Sequence, residues 1–373
     1  TRWLPLQLVM NPGLGAGEAW MRGELVIVEG DLRRLLALIT DQPARLREPA
    51  LLRQLTRMRQ AWRRLLGGNT RRRASRNARH HYDIGNDLYR LFLDEAMHYS
   101  CAYFPQGGET LEAAQVAKVR HIAAKLLLEP DCRVLDIGSG WGGMAIALAR
   151  LGGARVTGVT LAREQLELAR ERAAEAGLSD RVAFHLGDYR EVEGPFDRIV
   201  SVGMLEHVGY AQYDAYFAKV AQLLARDGVA LIHAIGRSDA NGGPDALTQR
   251  YIFPGGYIPS LSEVLPAIER HKLVVTDIEV LRLHYAETLR LWSERFAQHR
   301  TEARALMGEE FCRMWEFYLA GAEMSFRHGA LMVFQIQLAH HKHAVPLTRD
   351  YTSAAEARLA HAAAGPVSLR RAG

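Results

Sequence analysis

The run VLDIGSGWGG, residues 134–143, decides the fold. It sets an apolar strand, a glycine-rich turn and then a helix in that order. Glycine at 138 and 140 lets the turn fold tightly and lets a ligand approach the backbone, while the helix N-terminus offers unpaired N–H groups. This is a nucleotide-type site. Gly138, Gly140 and Gly143 also satisfy the G-x-G-x-x-G dinucleotide fingerprint, which raises a nicotinamide dehydrogenase. That fingerprint expects an acid at the end of the next strand, about 20 residues on, to hold the ribose. The chain places Thr160 there, so hydride transfer loses support.

Outward from the turn, apolar strand-like runs alternate with helix-length periodic segments, the signature of a doubly wound α/β sheet. Strands are expected at 134–137, 156–160, 182–186, 199–202, 229–235, 274–280 and 332–338. Residues after about 340 are alanine-rich and mixed in charge and read as a frayed helix or tail. His340, His341 and His343 there have no acid or cysteine beside them, which favours an exposed tail over a metal site.

At 373 residues and 48% hydrophobic, the chain can bury one large core and carry a second, smaller domain. No stretch approaches the ~20 apolar residues needed to cross a bilayer, and no secretory leader is expected at the start. Cys101, Cys132 and Cys312 form no C-x-x-C pair, which argues against a disulfide framework and a zinc site. A reducing, cytoplasmic setting follows. The formal net charge is only +5, but residues 51–79, a run that includes Arg53 and Arg79, carry arginine repeatedly and no acid. Leu51, Leu52, Leu55, Met58, Trp62, Leu65 and Leu66 recur there at helical spacing, and Gly67 and Gly68 end the pattern. Three uses stand open: a solvated helix face, a lipid surface, or nucleic acid. The arginine fork suits phosphate in either polyanion.

Two acids near the turn point to one ligand. Asp136, two residues before the first glycine, suits a carboxylate facing the ammonium of S-adenosylmethionine. Asp188 and Tyr189 follow the third strand, where a carboxylate can accept from an adenine amino group and a ring can stack on the base. An aspartate after a strand is also a common turn residue.

Six segments resemble the cyclopropane-fatty-acyl-phospholipid synthases and the related mycolic acid cyclopropane synthases and methyltransferases. They are HHYDIGNDLYRLFLDEAMHYSCAYF (80–104), LDIGSGWGG (135–143), VTGVTLAREQ (156–165), DRIVSVGMLEHVG (197–209), LIHAIG (231–236) and YIFPGGYIPSL (251–261). The resemblance covers most of the chain from about residue 77 to 338. It implies a class I methyltransferase, Rossmann-like with a seven-stranded mostly parallel sheet, at residues 74–373. A small N-terminal accessory domain, associating with lipid, is implied at 1–73.

By the same resemblance, Tyr99, Ser100, Gly138, Gly140, Thr160, Leu161, Gln165, Asp188 and Tyr189 line the adenosylmethionine site, with Gln165 on the ribose. It further implies a bicarbonate ion held by Cys101, Glu206, His233, Ile235 through its backbone, and Tyr285. The implied reaction adds a methyl to the double bond of an unsaturated acyl chain of membrane phospholipid. A base then takes a proton from the new methyl and the ring closes. The protein is expected on the inner membrane face, held to anionic lipid by its basic run, and the sequence leaves a homodimer open.

Each residue has a plainer reading: Cys101 as a buried hydrophobe, His233 as a core histidine, Glu206 as a common methyltransferase residue. Their joint presence inside the family strings favours the site. One departure stands out. Many relatives carry a cysteine in the late helix where this chain has Ala322, and Cys312 lies about three turns earlier. The product is therefore open between a cyclopropane and a methyl-branched unsaturated chain. A nucleic-acid methyltransferase would use the arginines too, but the exit of strand four reads GMLEHVG and not a D-P-P-Y type motif.

Overall fold

The alternation of apolar runs and helical segments does produce a doubly wound sheet. The computed structural model describes residues 12–40, 85–239 and 246–364. Among the described residues four helices come first: α1 (Pro12–Met21), α2 (Leu32–Thr40), α3 (Asn86–Arg90) and α4 (Leu111–Lys125). The alternating body follows as β1 (Arg133–Ile137), α5 (Gly143–Gly152), β2 (Arg155–Thr160), α6 (Arg163–Glu175) and β3 (Val182–Leu186). It continues with β4 (Phe196–Val202), α7 (Leu205–Val208), α8 (Tyr213–Leu223), β5 (Leu224–Arg237), α9 (Leu261–Arg270) and β6 (Val274–Val280). Helices α10 (His284–Gln298), α11 (Arg300–Met307) and α12 (Glu309–Arg327) precede β7 (Leu331–Ala339) and α13 (Asp350–Ala364).

All seven expected strands exist, and those at 182–186 and 274–280 coincide with β3 and β6. The strand order is β3-β2-β1-β4-β5-β7-β6. Strands β1 to β5 pair in parallel, and β7 runs antiparallel between β5 and β6. Strand β5 starts earlier than expected because Leu224 pairs with Phe196 before a register shift.

Apolar side chains cover both faces of the sheet. On one, Val119 and Ile122 of α4 and Leu148 of α5 pack with Val134, Val156 and Val200. On the other, Phe217 and Val220 of α8 and Val264 and Ile268 of α9 pack with Leu135, Ile199 and Phe334. A third, aromatic cluster joins α3, α10 and α12 to Met21 and Leu36 of the N-terminal helices. Arg313 of α12 donates to Trp20 O at 2.9 Å and lies 5.2 Å from the Trp20 ring, while Arg33 of α2 pairs with Glu323 at 2.8 Å. The basic run at 51–79, and with it the boundary at residue 73, lies outside the described residues.

The reading of the C-terminus needs correction. Residues 350–364 form α13 and do not fray: Ala355 is buried, Glu356 bonds His121 of α4 at 2.5 Å, and Tyr351 accepts from Gln337 at 2.7 Å. An alanine-rich helix looks soluble by composition, but the Glu356–His121 bond, the Tyr351–Gln337 bond and the packing of Leu359 on the apolar cluster dock it. His340 and His341 are no loose tail either: they bond Leu224 O at 3.1 Å and Asp227 at 2.8 Å.

Gly143 opens α5 against the segment that carries Tyr99 to Cys101. A Cβ there would stand 2.4 Å from Ala96 O and 3.1 Å from His98 Nε2. Gly143→Ala should cost about 1–3 kcal/mol by overpacking, measured by denaturant unfolding, and an unchanged midpoint would refute this close approach.

Candidate active site

The turn after β1 lies where the strand order reverses, between β1 and β4, the place where open α/β sheets hold ligands. Gly138 and Gly140 adopt φ of 82° and 53°, which residues with a side chain rarely do. Around the turn opens a cavity that takes in all ten residues expected at a cofactor. Asp136, Gly138 and Gly140 come from β1 and its turn, and Thr160, Leu161 and Gln165 from the end of β2 and α6. Asp188 and Tyr189 come from beyond β3, and Tyr99 and Ser100 from the segment ahead of α4.

That segment is held from several sides. Buried Asp94 accepts from His98 N at 2.7 Å and meets its Nδ1 at 2.8 Å. Gln115 of α4 donates to Ser100 O at 3.1 Å, and Ala102 N donates to Thr288 of α10 at 3.0 Å. The Tyr99 ring stacks on Trp292 at 5.1 Å, and its hydroxyl lies 3.3 Å from that of Tyr318.

Electrostatics give this cavity a polarity. Asp136 is 2% exposed, its Oδ2 has no hydrogen-bond partner, and burial pushes its pKa up to about 7 against the pull of Lys118. Lys118 of α4 is fully buried and donates to Ser100 Oγ at 3.0 Å. Burial lowers its pKa to about 8 against the pull of Asp94, Cys101 and Asp136. An unsatisfied carboxylate beside an ammonium fits the two charges of an α-amino-acid group. Thr160 donates to Gln165 Oε1 at 3.0 Å. Asp188 caps the following turn by accepting from Arg190 N at 3.0 Å, and the Arg190 guanidinium also meets both its oxygens at 2.7 and 2.6 Å.

A second cavity, of about 460 Å³, adjoins the first. All five residues expected around an anion face it: Cys101, Glu206, His233, Ile235 and Tyr285. Its wall is shared with the first through Tyr99, Ser100, Gly203, His207 and Phe253. Elsewhere Leu289, Tyr318, Phe326 and Leu331 make it apolar. Glu206 enters on α7, where Oε1 accepts from Ile235 N and Oε2 is buried without a partner. Burial raises its pKa to about 7. His233 stays neutral, its pKa lowered to about 3 by burial and by Lys118 and Lys125. Burial also pushes up the Tyr285 hydroxyl and the Cys101 thiol, whose Sγ lies 3.2 Å from Ala102 O. Cys101 is therefore a neutral thiol. An orphaned acid able to share a proton, flanked by a neutral imidazole and a phenol, suits a small oxyanion.

Ala322 lines this second cavity, whereas Cys312 is fully buried in the aromatic cluster and faces neither site. Among the described residues no group of histidines, cysteines and acids is placed to hold a metal. Sequence reasoning missed Lys118 and also Gln335, which stands 3.1 Å from His233 Nδ1. Lys118, His121 and Lys125 recur along one face of α4, a spacing visible in the sequence, but only the structure shows that all three are buried.

Residues 69–336 match the family model described as mycolic acid cyclopropane synthetase. The chain is 42% identical over 339 residues to a tuberculostearic acid methyltransferase of Mycobacterium tuberculosis, covering 86% of this chain and 78% of that protein. It is 41% identical over 273 residues to a cyclopropane-fatty-acyl-phospholipid synthase of Escherichia coli, covering 73% and 70%. A mycolic acid cyclopropane synthase solved with SAH and CTAB superposes with a TM-score of 0.68 at 34% identity, covering 71% of this chain and 97% of that one.

The raised pKa of Asp136 has a stability consequence. A carboxyl whose folded pKa lies above its unfolded value favours folding at low pH, and that contribution is lost as pH rises to the folded value. The ligand-free protein should thus lose stability between the ordinary 3.8 and about 7 on account of Asp136. Asp136→Asn should be more stable than wild type at alkaline pH, on the order of 4 kcal/mol, and the gap should close near pH 4. Parallel unfolding curves at both pH values would refute it.

Proposed function

The chain belongs to the mycolic acid cyclopropane synthetase family, and we propose that it adds the methyl of S-adenosylmethionine to a double bond in an acyl chain of membrane phospholipid, closing a cyclopropane ring with bicarbonate as base. The enzyme is an S-adenosylmethionine-dependent methyltransferase of class I fold. The finer reading rests on one observation: a charged cavity and an apolar cavity with a buried acid meet across a shared wall.

Adenosylmethionine supplies an electrophilic methyl, and bicarbonate a base small enough to work in an apolar cavity. Asp136 takes the ammonium of the cofactor's amino-acid end, and Lys118 with Ser100 takes its carboxylate. Gln165 and Asp188 serve the ribose and adenine, and Tyr189 stacks on the base. On the lipid side, Leu289, Phe326 and Leu331 exclude water, because an alkene is a poor nucleophile that must be held in line and dry. Alkylation would leave positive charge on the acyl chain, and Tyr99, Phe253 and Tyr285 line the cavity where it would form. Glu206, His233, Tyr285, Cys101 and Ile235 hold and orient the anion.

A second reading keeps the same cofactor and lipid class but ends in a methyl-branched unsaturated chain. It is favoured by the methyltransferase name of the Mycobacterium tuberculosis relative. Proton NMR of the extracted lipid separates ring from branch.

No described helix is long and apolar enough to cross a membrane. We infer that the enzyme works peripherally, with the basic run at 51–79 on anionic lipid. Binding to anionic vesicles should exceed binding to neutral ones and weaken with salt, and equal sedimentation with both would remove that role.

With monounsaturated phospholipid vesicles and adenosylmethionine, acyl mass should rise by one methylene. Glu206→Gln should slow this by ~10²-fold or more. Methyl transfer at the wild-type rate in this variant would exclude Glu206 from the chemistry. Calorimetry with S-adenosylhomocysteine should show Lys118→Met about tenfold weaker, while 5′-methylthioadenosine, which lacks the amino-acid end, binds both proteins alike. Equal loss for both ligands would show that Lys118 only supports the fold.

A further inference from the structure

His233, Gln335 and Glu279 form a polar row across three strands. His233 of β5 is the register partner of Gln335 of β7, which is in turn the partner of Glu279 of β6. From α4, Lys125 Nζ donates to Gln335 Oε1 at 2.9 Å and also to Glu279 Oε2. His121 meets the same Glu279 oxygen at 2.6 Å. Despite burial, His121 and Lys125 hold the Glu279 pKa down to about 2. The row is therefore charged and fully connected up to its last member.

Hydrogen-bond chemistry fixes the direction of each link. An ammonium donates and never accepts, so the end of the Gln335 amide that meets Lys125 is its oxygen. The NH₂ end then faces His233, 3.1 Å from Nδ1. An amide NH₂ only donates, so Nδ1 accepts. A neutral imidazole carries one proton, which leaves it on Nε2. His233 is 2% exposed and lines the lipid-side cavity.

We propose that Lys125 and Gln335 are positioning residues that lock His233 in the tautomer with the proton on Nε2, so that His233 donates a hydrogen bond to the oxyanion in the lipid-side cavity and takes no proton itself. The holding role rests on the oxyanion proposed above, whereas the tautomer follows from the side chains alone. It separates His233 from Glu206 in kind. The imidazole serves only as a donor, and proton exchange with the anion falls to the acid. The lowered basicity of the ring agrees, since burial and two nearby ammonium groups disfavour a second proton.

Ring-nitrogen NMR of the ¹⁵N-labelled full chain tests this, with the His233 signals identified by their loss in His233→Gln. In wild type at neutral and mildly alkaline pH, Nδ1 should be bare and Nε2 protonated, and adding sodium bicarbonate should move the Nε2 signal. In Gln335→Glu, the carboxylate can still accept from Lys125 but has no proton to give, so Nδ1 should gain one. A proton on Nδ1 in wild type overturns the proposal. So does an unchanged Nδ1 in a Gln335→Glu protein with native circular dichroism, and if that variant fails to fold the wild-type spectrum decides alone. The expected tautomer with no response to bicarbonate overturns the holding role and the bicarbonate site, while methyl transfer to vesicle lipid is judged separately by the mass assay.

Discussion

A charge moved out of water must be met by another charge, and α4 does this for both cavities. Lys118, His121 and Lys125 stand at intervals of three and four residues on its inward face, and each is at most 4% exposed. Lys118 answers Asp136 and Asp94, while His121 and Lys125 answer Glu279. Taking one partner from a buried pair costs about 3–5 kcal/mol, because the other charge is left uncompensated. The helix thus cannot be repacked with apolar residues on that face unless the facing acids change too. It couples the cofactor turn at the end of β1 to the polar row across β5, β7 and β6.

Not every charge is met. Asp136 Oδ2 and Glu206 Oε2 are buried without partners, and each such group costs roughly 1–3 kcal/mol. Native interiors rarely tolerate this without a use for it. Here an unsatisfied acid oxygen faces each cavity, so the ligand-free protein carries a cost in the two places where the proposed ligands would relieve it. The fold around them is stiff enough to hold it: aromatic rings of α3, α10 and α12 lock the segment that carries Tyr99 to Cys101.

Much of this was legible in the residues, for identifiable reasons. The strands announce themselves because a parallel sheet buried on both faces needs continuous apolar runs. Most of the ten residues expected at a cofactor and of the five expected around an anion lie in short strings dense in unusual residues, and the structure gathers each set on one cavity. Lys118 and Lys125 were hidden because a basic stripe on a helix ordinarily marks its solvent side. Gln335 sits in a strand pattern where a lone amide carries no signal, and its meaning arises from partners on α4 and β5, roughly one to two hundred residues away in sequence. Helix α13 reads as a tail because the face that docks it, Tyr351, Ala355, Glu356 and Leu359, holds few large apolar residues amid alanines and charges.

The alternation of β7 has one more implication. Gln335 and Gln337 point to α4, while Phe334, Ile336 and Leu338 pack on the opposite face. A slip of one residue in this strand would exchange the two sets, burying amides in oil and presenting a phenyl ring to the imidazole. Mispaired chains would then be not merely unstable but inert. Because β7 lies in the sheet between β5 and β6, both earlier in sequence, turnover itself would report whether this strand found its alignment.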